Sequence, residues 1–432
     1  MCSFPTQGAA VWRRANFVVV AVTLCLFVLA ATLGAIRKDV AQGFDEVAHA
    51  SYVAQVQRDT TLWPDLTKLH LLDPQTFAFT AKANYLNHLP FYYDALAVAG
   101  PRLDGHPRAL LFYRLLNVLL ASVGLATLLA IGLAAQFDRL ELYAYCVPLF
   151  CIPVLAPLAG AVNNDNAAFL GGAAVLFGLL QLLATKQNVW LWLALGGVVV
   201  AGWAKLTGLL LTGAAAAAVF FYLFRRKQFR REWIVPIVTA IVLAGIPYAV
   251  FLLQYGSPAP DTPAQQALLQ TGAQISGWAQ QPRLSFLGYA AYFSQSFVMN
   301  WMPSLAPRGP LQFAMLAIPA VTVALAGGGV FISLSRMVQR RERPLDVVVV
   351  AGAFAIAATF ACHFVYSYQR HIATGWMMDA YPRYYLPMIA IVPLACLSLV
   401  SAARSTRSRS LMIGLFVSGP IVFRIFGAPL PF

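Results

Sequence analysis

The stretch "FVVVAVTLCLFVLAATLGAIRKDVAQGFDEVAHASY", residues 17–52, decides the fold class. Its first part, Phe17 to Ile36, carries no charge and has the length of about 20 residues that a helix needs to cross a bilayer. The run stops at Arg37. Shortly after it come Asp45 and Glu46 side by side, with His49 a helical turn on. Only 16 of the 432 residues are acidic, so a pair at the exit of an apolar helix calls for a reason.

The whole chain repeats the first pattern. It is 60% hydrophobic and 11% charged, with a mean hydropathy of +0.69, whereas soluble domains carry about a quarter charged residues. This is the composition of an integral membrane protein. The net charge of +14 does not point to nucleic acid, because the cations sit in knots at the ends of apolar runs. Arg13 and Arg14 form one knot, Arg225, Arg226, Lys227, Arg230 and Arg231 another. Arg336, Arg340, Arg341 and Arg343 form a third, and Arg404, Arg407 and Arg409 a fourth. Such knots fix topology and touch anionic membrane lipids. Cys25, Cys146, Cys151, Cys362 and Cys396 fall inside apolar runs, with neither a disulfide framework nor a metal-type spacing.

The expected fold is therefore an all-α integral membrane protein, one multi-pass domain over residues 1–432 with about eleven transmembrane helices. The apolar segments are 16–36, 109–135, 142–161, 167–184, 189–204, 206–224, 233–253, 311–334, 346–366, 384–403 and 410–426. The lone Lys205 leaves two readings for its neighbours, two short spans or a re-entrant hairpin. With the N-terminus inside, every basic knot falls inside, and 37–108, 254–310 and 367–383 lie outside. Amphipathic helices in the membrane interface are expected over 44–58 and 85–99, and 254–310 is expected to roof a cavity. Eleven of the 16 acidic residues then lie outside; only Asp138, Glu141, Glu232, Glu342 and Asp346 lie inside.

The candidate chemistry gathers on that outer side. Helical spacing puts Asp45, His49 and Tyr52 on one face, with Glu46 beside it. Asp45 is either a helix cap or a catalytic carboxylate. In "NNDN", Asp165 with Asn163 either caps the next helix or, together with Asp45, holds a divalent cation such as Mg²⁺ or Mn²⁺. Lys205 is a lone cation between apolar segments, a functional candidate where it does not snorkel. Arg370, His371 and Arg383 lie outside among Tyr381, Tyr384 and Tyr385, against the inside bias. They either anchor the interface or clamp a phosphate.

Taken in order, these pieces resemble the GT-C type of membrane glycosyltransferase, which includes protein O-mannosyltransferases and lipid A aminoarabinose transferases. The residues that carry the resemblance are Asp45-Glu46 with His49 and Tyr52, then "NHLPFYYDAL" over 87–96, then Arg114-Leu115-Leu116. After them come "NNDN", Lys205-Leu206-Thr207 and Arg383-Tyr384-Tyr385-Leu386-Pro387. The chain departs from the pattern in having "HLP" for a double proline and one Asp in the second acidic turn. The resemblance implies a bacterial inner-membrane enzyme with its site on the periplasmic face. It would move a sugar from a polyprenyl-phosphate donor to a hydroxyl of a lipid or glycan acceptor, inverting the anomeric carbon. It also implies catalytic roles for Asp45 and Glu46, and donor contacts from Lys205, Arg383, Arg370, His49, Tyr52, His88, Tyr92, Tyr93 and Tyr384. Two rivals stand beside it, a lipid or solute transporter or flippase, and a metal-independent glycan ligase or polymerase. The first is weakened by the lack of internal repeats and of mid-span carboxylates, the second by the early acidic pair.

Overall fold

A computed structural model describes residues 6–299 and 310–426. Without water to bond to, a backbone inside a membrane satisfies its N–H and C=O groups as helix, and each apolar run has done so. The helices are α1 (Thr6–Arg37), α2 (Glu46–Asp59), α3 (Phe91–Ala99), α4 (Leu110–Ala134), α5 (Arg139–Phe150) and α6 (Leu155–Ala159). They continue as α7 (Asp165–Thr185), α8 (Asn188–Ala204), α9 (Leu206–Arg225), α10 (Ile234–Tyr255), α11 (Pro263–Ile275) and α12 (Phe286–Met299). The chain finishes with α13 (Pro310–Val338), α14 (Pro344–Thr374), α15 (Ile391–Val400) and α16 (Thr406–Phe426). Leu253, Leu287 and Val235 stand exposed on the outside, as lipid-facing side chains do. This is a multi-pass, all-α membrane protein.

Among the described residues, seven helices are long and apolar enough to cross a membrane, or eight if a bent pair counts as one span. The sequence expectation of about eleven counted apolar segments, and several of those are short or broken. Residues 142–161 divide into α5 and the five-residue α6, with Pro148 inside the first and Pro153 in the gap. The segment 384–403 is a 3₁₀ stretch, Pro382–Met388, bent by 64° against α15. Proline removes a backbone donor and clashes with the preceding turn, so such runs do not continue as one rod. Residues 189–204 lie in α8, a helix of 17 residues. That length is about 25 Å at 1.5 Å per residue.

Side-chain pairing marks one end of the bundle. Arg226 donates to Glu342 at 2.5 Å, Trp233 to Asn188 at 2.9 Å and Arg409 to Glu141 at 2.7 Å. Three of the basic knots lie there. At the opposite end, α8 stops and α9 starts around Lys205, whose backbone is extended. The two helices thus run from the basic end to Lys205 and back. Close backbone approach supports this packing: a Cβ on Gly171 of α7 would lie 2.6 Å from the Gly197 carbonyl of α8. Gly172 does the same for the 3₁₀ stretch, since a Cβ there would collide with Pro387. That contact sets Arg383 beside the start of α7.

Residues 37–108 form a cap over this end. It holds α2, α3 and a two-stranded antiparallel sheet, β1 (His70–Leu72) and β2 (Phe79–Ala83), with His70 opposite Ala83 and Leu72 opposite Phe79. The sheet was not expected from the sequence, because its strands are too short to show an alternation. Tyr52, Tyr93, Leu66, Leu72 and Tyr113 form the core of the cap. Of the expected roof over 254–310, α11 and α12 are helical, and 300–309 lie outside the described residues.

Candidate functional site

Asp45 begins the site. Gly43, Phe44 and Asp45 all have positive φ, at 76°, 61° and 56°. A left-handed backbone at two non-glycine residues is uncommon and costs about 1–3 kcal/mol each where the structure holds it in place. Asp45 occupies the N-cap position of α2, yet its side chain makes no capping hydrogen bond. The carboxylate turns away from the helix. Its Oδ2 accepts from Arg383 Nη2 at 3.0 Å and its Oδ1 from the Tyr85 hydroxyl at 3.0 Å.

A second ion pair lies on the same cavity. Lys205 Nζ donates to Asp165 Oδ1 at 2.8 Å and sits 3.9 Å from the centre of the Tyr384 ring. The Arg383 guanidinium is 5.2 Å from that ring. Asn164 Nδ2 donates to the Ala204 carbonyl at 2.7 Å, which ties the start of α7 to the Lys205 break. Asn163 donates to the Phe44 carbonyl at 2.8 Å and faces His49 Nε2 at 3.1 Å. His49 Nδ1 is 2.9 Å from the Tyr93 hydroxyl. The first helix of the cap and the turn before α7 are thereby locked to each other.

The cavity between them has a volume of about 450 Å³. Asp45, His49, His88, Asn163, Asp165, Lys205, Arg370, Arg383 and Tyr384 all line it. These come from separate parts of the chain, and the structure brings them together. Glu46, Tyr52, Tyr92 and Tyr93 do not line it. Glu46 is buried. It accepts from Lys38 at 2.8 Å, from Arg114 at 2.8 and 2.7 Å, and from the Val162 N–H at 2.9 Å. One helical step of about 100° separates it from Asp45, and that step turns it into the protein. Tyr52 and Tyr93 stack at 3.9 Å in the cap core, and Tyr92 donates to Asn117 at 2.8 Å. These three tyrosines support the wall. The wall itself is the 85–89 segment, including Tyr85 and His88.

Burial alone would raise the Asp45 carboxyl. The Arg383 charge opposes it, together with the hydrogen bonds from Arg383 and Tyr85, and holds Asp45 below the ordinary carboxylate range. Burial lowers His88 to about 3, with Lys205 adding to the effect. Burial likewise lowers His49 well below 6.5, reinforced by His88. Both imidazoles are therefore neutral at physiological pH.

The residues expected to hold a divalent cation, Asp45, Asp165 and Asn163, all line this cavity. Among the described residues no group of three or more His, Cys, Asp or Glu side chains could hold one. Asp45 and Asp165 each already face a cationic side chain, and a metal ion would have to sit beside that like charge.

Tyr85, Asp261, Tyr366 and His363 belong to the site or its wall and were not singled out in the sequence. The tyrosines gave no signal beyond a general aromatic content. Asp261 was visible only as one of the few carboxylates on the outer side.

No family model matches the chain, and no curated protein matches it. Among solved structures, the crystal structure of ArnT from Cupriavidus metallidurans bound to undecaprenyl phosphate is similar. The match has a TM-score of 0.45 at 15% identity and covers 94% of this chain. The chain spans 62% of the length of that structure. A likeness at this level says nothing of chemistry.

Proposed function

We propose that the protein is a GT-C-type glycosyltransferase of the cell envelope, moving a sugar from a polyprenyl-phosphate donor to an acceptor hydroxyl. The observation that carries this reading is the convergence of Asp45, Asp165, Lys205 and Arg383 on one cavity at the end of the bundle. Acid–base chemistry and anion binding are thus offered in the same small space. The basic knots at the opposite end support a periplasmic location for the site, by the positive-inside bias.

In this reading the donor's phosphate takes hydrogen bonds from Arg383 and Lys205. Arginine presents paired donors that match phosphate oxygens, and lysine adds a point charge. The acceptor oxygen attacks the anomeric carbon from the face opposite the phosphate. The bond from that carbon to the phosphate oxygen breaks, and the acceptor's proton passes to Asp45. The lipid leaves as a phosphate monoester whose added charge is stabilised by the two cations. General-base assistance of this kind contributes about two to four orders of magnitude in rate. Neutral His88 remains able to accept a hydrogen bond from a hydroxyl group.

The test uses purified full-length protein in lipid nanodiscs. It should bind polyprenyl phosphate but not the matching polyprenol, and release polyprenyl phosphate from a sugar-bearing donor. Equal binding of the alcohol and the phosphate would remove the anion site and the reading with it.

A further inference from the structure

Three cationic side chains line the cavity, and one differs in its partner. Lys205 and Arg383 are held by Asp165 and Asp45, which line the cavity themselves. Arg370 is held by Asp261, which lies between α10 and α11. Arg370 Nε donates to Asp261 Oδ2 at 3.1 Å, and Nη2 donates to Oδ1. The Tyr366 hydroxyl donates to the same Oδ1 at 3.0 Å, and the guanidinium lies 4.1 Å from the Tyr366 ring centre. Asn87 donates to the Pro260 carbonyl at 2.9 Å, which fixes this loop against the 85–89 wall. The Arg370 side chain is only 7% exposed.

A forked pair of this kind, with Arg370 buried and Asp261 partly exposed, cancels its own charge. The neighbouring lining groups, Gln265, Ser257 and Thr359, carry none. Once Lys205 and Arg383 engage a phosphate and Asp45 serves as base, the wall built on α11 and α14 offers only neutral hydrogen-bonding groups and aromatic faces. An acidic or amino sugar placed there would bring an unmatched charge into a water-poor cavity, which is costly.

Building on the transferase reading, we infer that the Asp261–Arg370 pair makes the site select a donor with an uncharged, hydroxyl-rich sugar, and that Asp261 sets this selectivity by neutralising Arg370. Without Asp261 the wall becomes cationic. Without Arg370 it becomes anionic.

The experiment measures binding to full-length protein in nanodiscs of four probes. These are bare polyprenyl phosphate and polyprenyl phosphate carrying a neutral hexose, a hexuronic acid or an amino hexose. The wild type should prefer the neutral hexose over either charged sugar by about tenfold, the effect of one unmatched charge at reduced dielectric. Asp261→Asn should move the preference towards the hexuronic acid by a similar factor, each sugar-bearing donor being read relative to bare polyprenyl phosphate. Arg370→Gln should move it towards the amino hexose. The double substitution should restore the neutral preference, which assigns the effect to the pair and not to damage of the loop. Unchanged sugar preference in both single variants would overturn the inference. So would a loss of bare polyprenyl phosphate binding in Arg370→Gln, because Arg370 would then serve the phosphate. A wild type that binds no polyprenyl phosphate at all fails earlier, and marks the failure of the transferase reading itself.

Discussion

Arg383 Nη2 lies 3.0 Å from Asp45 Oδ2, a contact between residues 338 positions apart. It joins the loop after α1 to the 3₁₀ stretch before α15, on the lining of the cavity. Asp45 stands at the N-cap of α2 and contributes no cap, so its left-handed backbone serves the contact with Arg383 and Tyr85. A carboxylate held this way is ionised at neutral pH. In the transferase reading it shares its guanidinium with the incoming phosphate.

Asp45→Asn separates the roles of that side chain. The amide keeps the size and a hydrogen-bonding oxygen but cannot take a proton from an acceptor. Transfer should fall by about two to four orders of magnitude, read as polyprenyl phosphate released per turnover. Binding of polyprenyl phosphate should be at least as tight as in the wild type, since Arg383 loses a competing anion. Near-normal turnover would return Asp45 to a structural role.

Glu46→Gln should behave in the opposite way. Glu46 is buried with no exposed side-chain surface, and Lys38 and Arg114 both depend on it. Removing one partner of a buried ion pair costs about 3–5 kcal/mol. Thermal unfolding of Glu46→Gln in detergent should shift to lower temperature, with turnover per folded molecule largely kept. Stability equal to wild type with turnover lost would instead make Glu46 catalytic.

The contrast shows what the sequence made legible. Apolar runs and basic knots revealed a helical membrane protein, and the ends of those runs pointed to Lys205, Asp165 and Arg383 as neighbours. Adjacency misled at Asp45-Glu46. Two residues that touch in sequence point about 100° apart once a helix starts, and only the position of Arg114 shows which of them is buried. The partnership of Asp261 with Arg370 spans 109 residues, and no periodicity links a loop carboxylate to a particular arginine of a later helix. The number of full spans was likewise hidden, because hydropathy does not register where prolines divide a run.

Arg383→Lys should retain part of the activity and Arg383→Gln much less. Lysine keeps the charge but loses the fork that can hold Asp45 and a phosphate oxygen together. A charge-assisted hydrogen bond is worth about 1.5–3 kcal/mol, so Arg383→Gln should lose about one to two orders of magnitude in transfer rate. Lys205→Gln should weaken binding of polyprenyl phosphate. Binding equal to the wild type would place Lys205 outside the phosphate site.

Chelation gives an independent check on the charge pairing. With Asp45 and Asp165 each engaged by a cation, turnover should survive EDTA and gain little from added Mg²⁺ or Mn²⁺. A loss in EDTA that Mn²⁺ restores would mean that substrate binding rearranges these pairs into a metal site.

The pH dependence should lack a histidine limb. His88 is depressed to about 3 and so changes no charge between pH 5 and 8, and His49 lies well below its usual value. Asp45 is held below the ordinary carboxylate range, so the base is already ionised there. The rate should therefore be flat on the acid side until the pH falls below about 4, the usual aspartate value. Arg383→Gln removes the charge that offsets burial, and should move this acid limb to higher pH. Tyr85→Phe should move it less in the same direction. Stability follows by linkage. Below about 6.5 the unfolded chain takes up protons on these histidines while the folded chain does not, so folding weakens as the pH falls towards 3. Asp45 adds to the loss once the pH drops below about 3.9, where the unfolded carboxyl protonates first. Unfolding temperatures measured from pH 8 to pH 4 should accordingly fall from about pH 6.5 downward, while the rate per folded molecule stays level. A rate inflection near pH 6.5 would mean that one of the two imidazoles titrates during turnover, and would reassign the proton transfer to it.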